Sequence, residues 1–215
     1  MSIMVKRLDA NLIEKYFIEE FPGALIDEEA YHLLLLVLGE KPGALLMSIT
    51  DLDAEIIEDF CSDFDLEMKA VEGEKRSILD KILRRETVLT GPSIYVAESK
   101  DRFDLLKYSE ETDARFSDKS IGEFLGYPED ALRYYENEEI PGKAFQEKAD
   151  FSNFSDKDLD YLNLVEYVPK PEEEEISKAI EEGKKREKLL NRLDRELDIE
   201  IGSKYITEIK DDSKL

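Results

Sequence analysis

The side chains with the most versatile chemistry are scarce here: one histidine, His32, and one cysteine, Cys61, in 215 residues. Zinc sites of the usual kind gather about four Cys or His ligands, so two such residues exclude one. His32 follows Tyr31 at the head of the apolar run 33–38. A histidine base needs an orienting partner, and no spacing supplies one, so a neutral imidazole making one core or boundary hydrogen bond is the expected role. Cys61 stands between Asp59 and Asp63, with Phe60 and Phe64 nearby. Neighbouring carboxylates raise the pKa of a thiol instead of activating it, so a small packed residue is expected there. A single cysteine cannot form an internal disulfide.

Acidic pairs occur throughout, among them Asp51/Asp53, Glu129/Asp130 and Glu138/Glu139. Paired carboxylates serve acid–base catalysis or hold Mg²⁺ and Ca²⁺, but at this density adjacency alone selects no pair. Residues 150–160 are acidic yet lack the central glycine and ligand spacing of an EF-hand loop, so a solvated loop is expected. A phosphate-cradling loop is also missing: Gly142-Lys143 has Asn137 where that motif needs glycine, and no G-x-G-x-x-G occurs. No cofactor is implied.

The most distinctive stretch is 121–131, centred on Gly126-Tyr127-Pro128. Gly126 can end one helix with positive φ, Pro128 suits the first turn of the next, and Glu129 and Asp130 suit its positive end. Phe124, Leu125, Tyr127, Leu132 and Tyr135 can then pack across the corner. A DNA-reading helix-turn-helix fits poorly, because the second helix begins acidic and offers only Arg133. Tyr127, Glu129 and Asp130 at the corner, together with Lys170 further on, are the candidate binding residues.

At these residues the chain resembles a mainly archaeal family, domain of unknown function 483, in which a Leu-Gly-Tyr-Pro corner is followed by cysteines and later by a Pro-Cys segment. The resemblance runs from Ile94-Tyr95-Val96, through 121–135, to Tyr167-Val168-Pro169-Lys170-Pro171. This chain departs from the pattern at the cysteines, carrying Asp130 and Ala131 after the first proline and Lys170 after Pro169. The resemblance therefore implies the scaffold without whatever metal or redox chemistry those thiolates support elsewhere in the family.

Charge narrows the partners. With 53 acidic against 30 basic residues and a net charge of -23, the chain repels phosphate backbones, which are ordinarily held by clustered cations. Ordinary nucleic-acid binding is excluded on that ground. Solubility with moderate salt tolerance accounts for the acidity, ahead of attraction to a basic protein partner. Extreme salt adaptation would deplete lysine, which is frequent here, as at Lys184, Lys185 and Lys188. The run 33–38 falls far short of the ~20 residues of a membrane span, and without a signal peptide a cytoplasmic location is expected.

Periodicity names the elements that must position these residues. Leu12, Ile13, Tyr16 and Phe17 predict a helix over 9–21 closed by Pro22-Gly23, and a second helix, capped by Asp27, runs through the leucines to Gly39. Residues 44–49, 66–70 and 93–97 read as strands, with Thr50 and Asp53 opening a helix between the first two. Ile78, Leu79, Ile82 and Leu83 predict a further helix, and 100–108 another. From 117 to 154 the pattern is helical, broken at 126–128 and at Pro141-Gly142. Residues 164–168 predict an edge strand before Pro169 and Pro171, and Ile199, Ile201, Tyr205, Ile206 and Ile209 predict a terminal strand.

Between them, 172–197 predicts a long charged helix with Glu181–Lys185 and Glu182–Arg186 pairs. Its narrow apolar stripe, from Ile176 to Leu197, fits a helix lying along the domain, with self-association as a coiled coil the alternative. The expected fold class is α+β, or α/β: a small mixed sheet covered by helices. The expected divisions are an α/β core (1–115), a helical corner region packed on it (116–170), and a charged helix with terminal strand or tail (171–215). The function expected is a non-catalytic cytoplasmic binding or regulatory module. Its rival is a small-molecule enzyme using carboxylate or hard-metal chemistry near the corner, which convergent polar groups in a pocket there would favour. An acidic mimic of nucleic acid is a third reading.

Overall fold

The computed structural model describes residues 8–47, 49–71, 92–107, 116–137 and 141–212. The chain divides into two compact units, one made of Glu20–Leu125 and the other of Met1–Glu19 with Gly126–Leu215. One boundary between the units falls at the corner glycine, Gly126.

Asp9 opens α1 (Ala10–Glu14) by accepting the Asn11 N–H at 2.9 Å, and the chain then widens into a π-helical stretch over Lys15–Glu20. The predicted first helix therefore changes hydrogen-bond register part-way, while still burying Ile13, Tyr16 and Phe17. In α2 (Asp27–Val37) the expectation for Asp27 is corrected: Ile26 holds the cap position without a side-chain bond, and Asp27 lies inside the first turn. The bond is supplied from further along. Glu29 reaches back to the Ile26 N–H, as the third residue of a capping box does, and also accepts the Met47 N–H at 2.7 Å. Leu33, Leu34 and Leu35 are fully buried, as the all-round apolar run requires.

Strand β1 (Gly43–Leu46) leads to α3 (Asp51–Asp63), where the Thr50 side chain accepts the Asp53 N–H as predicted. Strands β2 (Glu67–Val71) and β3 (Ser93–Ala97) complete a three-stranded sheet of order β1-β3-β2. Both pairings are antiparallel, with Ala44 opposite Val96 and Met68 opposite Val96 across the central strand. The fold is α+β, and among the described residues the sheet is antiparallel rather than mixed, with β1 and β2 flanking β3. The helix predicted at Ile78, Leu79, Ile82 and Leu83 lies outside the described residues. The helix predicted over 100–108 is a 3₁₀ helix, Lys100–Leu105. Its Arg102 donates to the carbonyls of Glu123 (2.5 Å) and Phe124 (3.0 Å), satisfying the end of α4 (Asp118–Leu125). Phe124 then packs with Tyr95 and Phe116 over the sheet.

The second unit is helical in its described residues. α5 (Glu129–Asn137), α6 (Pro141–Lys148) and α7 (Asp156–Leu159) precede a 3₁₀ turn at Asp160–Leu164, followed by α8 (Glu173–Leu197) and α9 (Ile201–Asp212). The edge strand predicted for 164–168 is not formed. Leu164 closes the 3₁₀ turn, and the Val168 N–H donates to the Tyr135 hydroxyl at 2.9 Å instead of to a ladder. The predicted terminal strand is a helix. Asp198 turns the chain at φ 58, and the Asp194 carboxylate accepts the N–H groups of Gly202 (2.7 Å) and Ser203 (2.8 Å), starting α9. The stripe of α8 is covered within its own unit: Ile176, Ala179, Ile180, Leu190 and Leu193 are buried, and the helix packs on the 3₁₀ turn and on α9. Gly183 and Gly202 permit this, since a Cβ there would strike the carbonyls of Tyr161 and Leu190. Among the described residues no helix is long and apolar enough to cross a membrane.

Candidate functional site

The corner has the predicted local form. Gly126 adopts φ 85, Pro128 accepts the Leu132 N–H at 3.0 Å, and Glu129 and Asp130 occupy the first turn of α5. One side of α5 buries Ala131 and Leu132. Asp130, Arg133, Tyr134 and Asn137 stand at i, i+3, i+4 and i+7, the spacing of a single helical stripe. That stripe forms one wall of a pocket of about 430 Å³, and Lys148 at the end of α6 and Lys170-Pro171 before α8 form the rest.

The Lys170 wall is held from below by a chain of side chains. Tyr127 packs its ring against Tyr135 (6.2 Å) and Tyr167 (5.9 Å). The Tyr167 hydroxyl donates to Glu182 at 2.8 Å, and burial followed by the Glu182 charge pushes its pKa upward. Glu182 in turn accepts from Arg186 at 2.6 Å, and the same guanidinium donates to the Leu164 carbonyl at 2.8 Å. Segment 164–168 is thereby fixed at Leu164, Tyr167 and Val168, which sets where Lys170 emerges.

Of the four candidate residues, the structure brings two together in the pocket: Asp130 and Lys170. Glu129 is exposed and pairs with Arg133 one turn on, and Tyr127 belongs to the aromatic support. The Lys170 ammonium is held above its ordinary pKa, first by its contact with Glu172 and then by the charges of Glu172 and Asp130. The described lining thus holds three cations and one carboxylate, and two of the cations carry ion pairs of their own, Arg133 with Glu129 and Lys170 with Glu172. Sequence reasoning missed Lys148, Asn137, Tyr134 and Pro171, and weighed Arg133 only as a DNA contact. The polar stripe of α5 was readable from spacing, whereas no local signal joins Lys148 to Lys170.

No protein-family model matches this chain, and no curated protein or solved structure matches it either.

The scarce side chains lie elsewhere. His32 sits half-buried with its ring 5.8 Å from that of Tyr31. Cys61 is buried, and burial, then Glu67 and Glu58, push its thiol up to about 12. The direction is the expected one, but the acids differ from Asp59 and Asp63: Glu67 comes from β2, and Glu58 stands three residues before Cys61, on the same face of α3, whereas residues two apart do not share a face. The pocket is what remains with convergent chemistry: a volume within the roughly 300–1,000 Å³ range of small-molecule sites, a planar guanidinium, two ammonium groups and a tyrosine wall. Such an arrangement can hold a small anion by charge-assisted hydrogen bonds.

Proposed function

We propose that this chain is a binding module for a small anionic molecule carrying carboxylate or phosphate groups, seated against Arg133, Lys148 and Lys170. The observation that supports this reading is the gathering of three cations in one pocket of a chain whose net charge is -23. An anion seated there exchanges with Glu129 for the Arg133 guanidinium and with Glu172 for the Lys170 ammonium, and donors converging on one cleft hold it by charge-assisted hydrogen bonds. Arg133 offers the forked donors that match a planar carboxylate, and the two lysines offer point charges. Calorimetric titration of the full chain with inorganic phosphate and with succinate at low ionic strength tests it. Binding should be seen, weaken with added salt, and fall by roughly tenfold or more for the Lys148→Ala/Lys170→Ala variant, since a hydrogen bond to a charged group contributes about 1.5–3 kcal/mol. Absence of binding to both anions, or equal binding by the variant, defeats the proposal.

A second reading, a small-molecule enzyme, draws on one observation: Asp130 places a carboxylate in the same pocket as the cations. There it would serve as a general base toward a ligand the cations hold.

A further inference from the structure

The pocket beside α5 answers its charges unevenly. Arg133 is paired with Glu129 and Lys170 with Glu172, so two of its cations meet carboxylates that stand outside the lining. Asp130 is different: among the described residues no ion pair or side-chain hydrogen bond reaches this carboxylate. Lys170 feels its charge, but Glu172 holds the contact. With Glu129 and Glu172 included, the carboxylates at this cleft balance Arg133, Lys148 and Lys170, so its field is mixed in sign.

A mixed field discriminates among anions. A plain anion displaces Glu129 or Glu172 to reach a cation, and the charge of Asp130 opposes it throughout. An occupant that also carries an ammonium gives Asp130 the counter-charge that no described side chain supplies, while its carboxylates still accept from the cations. The spacing suits a short skeleton. Asp130 and Arg133 are one turn apart on the same stripe of α5, about 4.5 Å along the axis, so the charges they receive sit within a few bonds of each other. The buried Tyr134 and Pro171, also in the lining, give the intervening carbons an apolar support.

We propose that the pocket selects a zwitterionic amino acid with an acidic side chain, its ammonium paired with Asp130 and its carboxylates held by Arg133, Lys148 and Lys170. The role of Asp130 rests on the anion-binding reading of the same pocket, and it makes this carboxylate the specificity determinant.

Succinate, malate and L-aspartate share one dicarboxylate skeleton and differ at a single carbon, which carries hydrogen, a hydroxyl or an ammonium. Calorimetric titration of the full chain at neutral pH and low ionic strength should find aspartate bound about threefold to fivefold more tightly than succinate, the size of one ion pair at an open site. Malate, with a neutral donor, should follow succinate. Asp130→Asn should weaken aspartate and tighten succinate, removing the preference, while its circular dichroism stays that of the parent. Lys148→Ala/Lys170→Ala should weaken all three. Succinate binding as tightly as aspartate, or malate matching aspartate, overturns the ammonium assignment and leaves the anion site standing. A preference for aspartate that survives Asp130→Asn overturns the role of Asp130. Failure of all three acids and of phosphate to bind removes the anion site itself, and the amino-acid ligand with it.

Discussion

In Glu20–Leu125 the large apolar side chains left exposed are Ile26, Met47 and Leu52, with acids next to Ile26 and Leu52 in sequence. In the unit completed by Gly126–Leu215 the open feature is a pocket lined by Arg133, Lys148 and Lys170. The interiors differ in the same sense. The first unit buries the leucines of α2 beside an antiparallel sheet, whereas the second threads a polar chain from Tyr167 through Glu182 to the buried Arg186. The contrast teaches that a net charge of -23 describes neither surface. Cations are few along 21–67, whereas Arg133, Lys148 and Lys170 meet at one pocket of the other unit.

The largest expected effect is on the apolar interior. Leu35 is fully buried in α2, and Leu35→Ala should cost about 2–5 kcal/mol in urea unfolding if the cavity relaxes poorly. A loss below about half a kcal/mol, the size of a surface substitution, would mean that α2 does not lie in a filled apolar core. Next in size is Gly126→Val. The φ of 85 places a β-branched residue in the left-handed region, at a cost of about 1–2 kcal/mol. Because Gly126 sets the entry into α5, phosphate binding should weaken together with stability. Unchanged binding in a destabilised variant would detach the corner from the pocket.

What was legible in the sequence was local. The Thr50 cap, the positive φ of Gly126 and the three strands each announce themselves within a few residues. The terminal strand was misread because Ile199 and Ile201 alternate as a strand does, while Ile201, Tyr205 and Ile206 equally share a helix face. The deciding group was the Asp194 carboxylate, which starts α9 from the preceding helix. Segment 164–168 was misread for a similar reason: its Val168 N–H is satisfied by Tyr135, a side chain from α5. Strand direction and the meeting of Lys148 with Lys170 depend on contacts distant in sequence, which periodicity does not encode. Asp130, marked in the sequence by the corner, lies in the pocket lining.

Smaller still is the pH effect of Glu29. Burial raises the pKa of this carboxylate above its ordinary 4.5, against the lowering effect of the Met47 and Ile26 N–H groups. A raised pKa in the folded state means that folding takes up a proton. The contribution of Glu29 to stability is therefore complete below pH 4.5 and is lost as the pH rises through the folded value. Wild-type stability minus that of Glu29→Gln should fall with rising pH over this window, whatever the other carboxylates do in common. A difference that is flat, or that rises with pH, would mean that the two N–H bonds outweigh burial.

The smallest expected effect on folding, and the most informative for the pocket, belongs to Asp130→Asn. The substitution keeps the shape and removes one charge from the first turn of α5, so stability should change by no more than the roughly 0.3–1 kcal/mol of a helix-dipole interaction. Binding should respond in the opposite sense to the lysine variants. With Asp130 neutral, the lining keeps Arg133, Lys148 and Lys170 and loses the one carboxylate among its described residues, so phosphate should bind more tightly, with the gain shrinking as salt is added. A weaker complex would mean that Asp130 itself contacts the ligand, which then carries a donor group as well as its anionic one. Normal folding and tighter binding, combined with loss of turnover of any molecule the chain is found to convert, would make Asp130 a catalytic base and decide for the enzyme reading.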